Sequence, residues 1–79
     1  MNIAVVDDEK LILKQIGGLI EKQMPNCCLD TYVTGDELLG AGKRFDIVFL
    51  DIQMDGMNGI ETAKRLRKRQ GDIVLIFVT

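Results

Sequence analysis

The sequence predicts an α/β fold: a doubly wound parallel sheet with its elements in the order βαβαβαβ. Three observations lead there. Apolar runs at residues 3–6, 47–50 and 73–78 are unbroken rather than alternating, as expected for strands covered by helices on both faces. Helical patterns separate the strands, and alternation of this kind implies a parallel sheet. Acidic residues stand where two of the runs stop, Asp7 and Asp8 after the first and Asp51 after the second. In such a sheet these positions gather at the carboxyl edge, where ligands bind.

The elements follow in order. Residues 3–6 form the first strand. Residues 9–23 carry Ile12, Ile16, Leu19 and Ile20 at i, i+4, i+7 and i+8 among lysines and glutamates, the pattern of an amphipathic helix. Pro25 and Asn26 end it, and residues 27–33 read as a second strand, with Thr31, Tyr32 and Val33 suited to a pleated surface. Tyr32 is expected to pack against the sheet. Thr34, Gly35 and Asp36 make a turn into a short helix over 36–41, weakened by Gly40 and Gly42. The third strand covers 45–50. A loop follows from Asp51 to Gly59, with Asn58 as N-cap of a helix reaching Arg69 whose buried face is Ile60, Ala63 and Leu66. Gly71 and Asp72 terminate that helix, and residues 73–78 are the fourth strand.

Bulk properties narrow the function. A chain of 79 residues is one domain, residues 1–79, burying only about 60–65% of its unfolded surface, so a small stability is expected. Apolar residues at 47% against 28% charged favour a folded chain over a disordered one. A net charge of −2 gives the whole molecule no electrostatic footprint for nucleic acid or anionic lipid. The basic stretch Lys64, Arg65, Arg67, Lys68 and Arg69 ends a helix, where the macrodipole favours solvated cations. The amino terminus has no basic region and turns acidic at Asp7, against a secretory signal, and no apolar run has membrane-spanning length. A cytoplasmic protein without membrane association is expected. Adjacent Cys27 and Cys28 do not favour a bridge, and without histidine there is no Cys/His zinc site. They are expected to be small apolar residues in a buried strand. Met54 and Met57 either mark a partner surface or fill gaps beside a helix.

The acidic residues carry the chemistry. Taken alone, Asp7 and Asp8 read as caps of the following helix. With Asp51 and Thr79 also at strand ends, four polar residues converge on one edge. If the first and third strands are neighbours, about 4.8 Å apart, the three carboxylates need a cation or protonation to be tolerated. An all-oxygen set of this kind suits Mg²⁺ holding several waters, with a loop carbonyl near Gln53 completing it. A carboxylate beside Mg²⁺ is also a nucleophile toward phosphorus, and Asp51 is the natural candidate for an aspartyl phosphate. The glycine-containing loop after it lets backbone approach a ligand closely. Thr79 either donates its hydroxyl to a phosphoryl oxygen or is simply a β-branched residue ending a strand.

Three segments together, Val5-Val6-Asp7-Asp8-Glu9, residues 49–61 (FLDIQMDGMNGIE) and Val78-Thr79, resemble the receiver domain of bacterial two-component response regulators. The resemblance covers the whole chain in the correct order. It implies a flavodoxin-like (CheY-like) sheet and a phosphorelay module that is not an enzyme. Asp51 would take a phosphoryl group from a sensor histidine kinase. Asp7, Asp8, Asp51 and the Gln53 carbonyl would hold Mg²⁺ or its waters, and Thr79 would be the switch hydroxyl. Asp55 stands where many receivers have proline, as in receivers resembling the LytTR-type regulators. That similarity implies transcription regulation, with DNA contacted only through an output domain absent from this chain.

The resemblance also implies truncation after the fourth strand. A full receiver continues through a fourth helix, a fifth strand ending in a lysine that contacts the phosphoryl group, and a fifth helix. Residues 73–78 then become an apolar edge strand, so a homo-oligomer or domain-swapped dimer is expected. Without the lysine, phosphorylation should be slower or absent. The alternative is therefore an inactive fragment acting only as a self-associating or protein-interaction domain. A phosphatase with an aspartyl nucleophile needs the same acidic cluster, but its usual signature places two aspartates two apart. Here Asp7 and Asp8 are adjacent, and Gln53 stands two after Asp51.

Overall fold

The computed structural model describes residues 1–54, 56 and 58–78, so Asp55, Met57 and Thr79 lie outside the described residues. Strands β1 (Asn2–Val6), β2 (Cys28–Tyr32), β3 (Ile47–Asp51) and β4 (Val74–Val78) alternate with helices α1 (Lys10–Gln23), α2 (Gly35–Gly40) and α3 (Gly59–Arg69). Every pairing is parallel, and the sheet order is β2-β1-β3-β4. From β1 the chain winds to β2 on one side and then returns to β3 on the other. The carboxyl ends of β1 and β3 therefore flank the point where the winding reverses, with Val6 paired to Leu50.

The pleat divides the core in two. Ala4, Val6, Val48 and Leu50 pack with Leu38, Leu39, Ala63 and Leu66 of α2 and α3. Ile3 and Val5 point the other way, onto Leu13 and Ile20 of α1. Tyr32 packs as expected, edge-on to Phe45 with ring centroids 6.2 Å apart. Met54 is buried in the α2/α3 half, so it fills the core rather than marking a surface.

Two helices present faces different from those the periodicity predicts. In α1 the buried line is Leu13, Gly17 and Ile20 with Ile16 against it, while Leu19 is 62% exposed. Gly17 explains the rotation. A Cβ there would lie 3.3 Å from Leu29 Cδ2, so the helix seats its smallest residue on β2. In α3, Gly59, Thr62, Ala63 and Leu66 are buried and Ile60 is exposed. Thr62 touches α2 so closely that only glycine fits at Gly35, and its hydroxyl donates to the Asn58 carbonyl at 3.0 Å. Small residues at a helix contact outweigh a larger apolar one that would hold the helices apart.

Caps account for the helix ends. Thr34 Oγ1 accepts the Glu37 N–H at 3.0 Å and Asn58 Oδ1 accepts the Glu61 N–H at 2.9 Å. Helix α3 ends at Arg69 as expected, with Gln70 in the C-cap position, whose side chain accepts from the Phe45 N–H at 3.3 Å and donates back to the Phe45 carbonyl. The basic last turn is not merely solvated. Arg67 donates to the Gly71 and Ile73 carbonyls, and Arg69 reaches the Leu39 carbonyl at 2.6 Å. The cysteines also depart from expectation: Cys27 is half-buried and Cys28 exposed, because β2 is an edge strand and both sit at its open amino end. Both are free thiols. Among the described residues, no helix is long and apolar enough to cross a membrane.

Candidate functional site

The site is built at the carboxyl ends of β1 and β3. Asp7 continues β1 by donating its N–H to the Tyr32 carbonyl at 3.1 Å. Its Oδ1 accepts the Glu9 N–H at 2.9 Å, turning the chain toward α1. Glu9 itself is the N-cap position and makes no side-chain cap bond. Asp7 is 5% exposed. Burial pushes its carboxyl above the ordinary value of 3.8; the Glu9 N–H opposes this, and the charges of Asp51, Asp8 and Glu9 add to the rise.

Asp51 ends β3 half-buried, its Oδ1 accepting the Gln53 N–H at 3.1 Å. Asp8 lies exposed at the mouth. The three residues each offer a carboxylate oxygen, all within 4.8 Å of one another. Two unit charges at that separation repel by about 1 kcal/mol even at the dielectric constant of water. The expected convergence of Asp7, Asp8 and Asp51 is therefore present, with a gradient from buried to exposed across it.

Gln53 sits beside the cluster, with its main-chain N–H committed to Asp51. Together with Asp8, Ile52, Met54, Asn58 and Ile60 it lines an open cleft of about 410 Å³. Thr79 lies outside the described residues; its chain neighbour Val78 pairs with Asp51 in the sheet register. Sequence reasoning missed Gly59, which packs directly on the Asp51 backbone. Its only signal was a glycine right after an N-cap asparagine.

The donor set fits a hard divalent cation. It is all oxygen, its charges crowd one another, and the exposed Asp8 side leaves room for bound water.

A comparison with protein-family models matches residues 3–79 to the response regulator receiver domain. The chain belongs to this family. Among its relatives, the sensory transduction protein LytT of Oceanobacillus iheyensis is 32% identical over 83 residues, an alignment taking in 100% of this receiver and 34% of LytT. The response regulator TrrA of Thermotoga maritima, solved in complex with Mg²⁺ and BeF, superimposes with a TM-score of 0.87 at 33% identity, covering 96% of this receiver and 66% of that chain. TrrA in complex with the histidine kinase ThkA gives a TM-score of 0.86 at 34% identity, covering 99% and 67%. The receiver described here thus spans about a third of LytT and about two thirds of the TrrA chain.

Proposed function

We propose that this receiver is a signalling switch that takes a phosphoryl group onto Asp51 from a sensor histidine kinase, in a reaction that needs Mg²⁺. The observation that carries this reading is the convergence of the Asp7, Asp8 and Asp51 carboxylates at the reversal point of the sheet.

In this reading Asp7, Asp8 and Asp51, with the Gln53 carbonyl, hold the ion. The bound metal supplies neutralisation of the charge on the transferring phosphoryl oxygens. The Gln53 N–H holds Asp51 Oδ1, which orients the carboxylate so that Oδ2 attacks phosphorus. The nitrogen–phosphorus bond of the kinase phosphohistidine breaks with its electron pair returning to the imidazole, and an oxygen–phosphorus bond forms on Asp51. Asp7, buried and fixed by the Glu9 N–H, anchors the back of the site, and Asp8 closes its open side. Thr79 serves as the switch hydroxyl. Residues 1–79 belong to one receiver domain, acting in the cytoplasm as a phosphoacceptor and not as a turnover enzyme. Similarity to the transcriptional regulatory protein ResD of Bacillus subtilis, 30% identical over 76 residues, supports an output in transcription, with DNA contacted by a separate output domain.

The test is a Mg²⁺ titration with and without beryllofluoride, followed by amide NMR in the wild type and in Asp51→Asn. Saturable shifts at Asp8, Asp51 and Thr79 that require Asp51 are expected. Metal shifts without a beryllofluoride response would leave a formed pocket without transfer competence. A folded sample showing neither sinks the proposal and leaves a passive interaction domain.

A further inference from the structure

Resting on Asp51 as the phosphoacceptor, we propose that Thr62 is a positioning residue for the transfer: its buried hydroxyl fixes the first turn of α3, and that turn holds Asp51 in line. Among the described residues the buried polar side chains are Asp7, in the acidic cluster, and Thr62, which is 0% exposed. The Thr62 hydroxyl donates to the Asn58 carbonyl at 3.0 Å. The same carbonyl accepts the Thr62 main-chain N–H at 3.1 Å, so the hydroxyl is not needed to satisfy it. What the second bond adds is direction, because a hydroxyl bonded back to the carbonyl four residues earlier bends a helix. The hydroxyl cannot turn away freely, since it lies against Gly35 so closely that no side chain fits there.

The turn so fixed bears directly on the acidic edge. Gly59, next to Asn58, packs on the Asp51 carbonyl, and its N–H donates to the Ile52 carbonyl at 3.0 Å. That bond joins the start of α3 to the segment leaving β3. Beside it the Gln53 N–H holds Asp51 Oδ1 at 3.1 Å, which aims the other carboxylate oxygen at phosphorus. Loss of the Thr62 hydroxyl lets Asn58 and Gly59 swing, loosens the Gly59 bond to Ile52, and frees Asp51 to turn. A misplacement of about 1 Å caused by a residue remote from the chemistry can cost about a hundredfold in rate. Thr62 therefore acts through Gly59 and touches neither the metal nor the phosphoryl group. Packing alone does not call for the hydroxyl, because valine has nearly the same shape and no polar atom to bury.

Thr62→Ser and Thr62→Val separate positioning from packing. Serine keeps the hydroxyl and loses the methyl group, whereas valine keeps the shape and loses the hydroxyl, so the two roles predict opposite orders. The readouts are hydrogen exchange at the Gly59 amide without ligand and amide NMR titration with Mg²⁺ and beryllofluoride. Thr62→Ser is expected to keep Gly59 protected and to bind beryllofluoride within about threefold of the wild type, while Thr62→Val exchanges faster at Gly59 and binds about tenfold or more weakly. Should Thr62→Val fail to fold against Gly35, Thr62→Ala, which only removes atoms, decides in the same way. Wild-type beryllofluoride binding in Thr62→Val or Thr62→Ala, weakened binding with Gly59 still protected, or a loss in Thr62→Ser equal to that in Thr62→Ala each overturns the positioning role alone. A wild type that ignores beryllofluoride sinks the phosphoacceptor reading, and the role of Thr62 with it.

Discussion

Gly59 lies so close to the Asp51 carbonyl that a Cβ on it would fall well inside van der Waals contact, and its own N–H donates to the Ile52 carbonyl at 3.0 Å. The first residue of α3 is thereby fixed against the strand end that carries the Asp51 carboxylate. Helix and carboxylate must move together.

Gly59→Ala is accordingly expected to lower stability by about 1–3 kcal/mol, the usual range for overpacking a tight contact, and to weaken Mg²⁺ binding. Gly18→Ala is the counterpart: its Cβ meets nothing within 4 Å on the exposed side of α1. That change should raise stability by about 0.5–1 kcal/mol through helix propensity. Urea midpoints of both variants check the contrast. Equal effects would mean the Asp51 contact is not tight.

Asp7 governs a pH dependence. Its carboxyl titrates above 3.8 in the folded state because of burial and the neighbouring charges, so the unfolded chain loses this proton first as pH rises. Stability contributed by the proton is complete below 3.8 and is lost as pH rises through the folded-state value. Asp7→Asn keeps an oxygen for the Glu9 N–H and removes the charge. It should exceed the wild type in stability at neutral pH, with the difference closing under acid conditions. Added Mg²⁺ should favour the wild type instead. A wild-type-minus-variant difference in midpoint that stays flat with pH would contradict this.

Gln70→Ala removes both arms of the clamp on the Phe45 backbone. Phe45 is buried, so its freed N–H and carbonyl find little water, and a loss of about 1–3 kcal/mol is expected. Gln70→Glu, which keeps the acceptor and loses the donor, should lie between the two. Denaturant unfolding of the three proteins orders them.

Asn58→Ala removes the acceptor for the Glu61 N–H and should cost about 1 kcal/mol, while Asn58→Asp should retain most of it. Hydrogen exchange at the Glu61 amide is the local readout. Unchanged protection in Asn58→Ala would show that the cap bond does not hold the first turn.

Much of this was legible in the sequence because the signals are local. Unbroken apolar runs mark buried parallel strands, acidic residues after them mark the carboxyl edge, and an asparagine before a helical repeat satisfies the N–H groups that a helix start leaves open, as Asn58 does. The alternation of elements follows from these signals alone, and the gathering of Asp7, Asp8 and Asp51 follows once β1 and β3 are neighbours, as the sheet order makes them. Tertiary structure decided what depends on a neighbour. The order β2-β1-β3-β4 made β2 an edge and left Cys28 exposed. Contacts at Gly17 with Leu29 and at Thr62 with Gly35 turned α1 and α3 so that Leu19 and Ile60 face out. Helical periodicity sets the spacing of a stripe, but the side that packs is chosen by where two backbones can approach most closely, and that choice belongs to residues far apart in the chain.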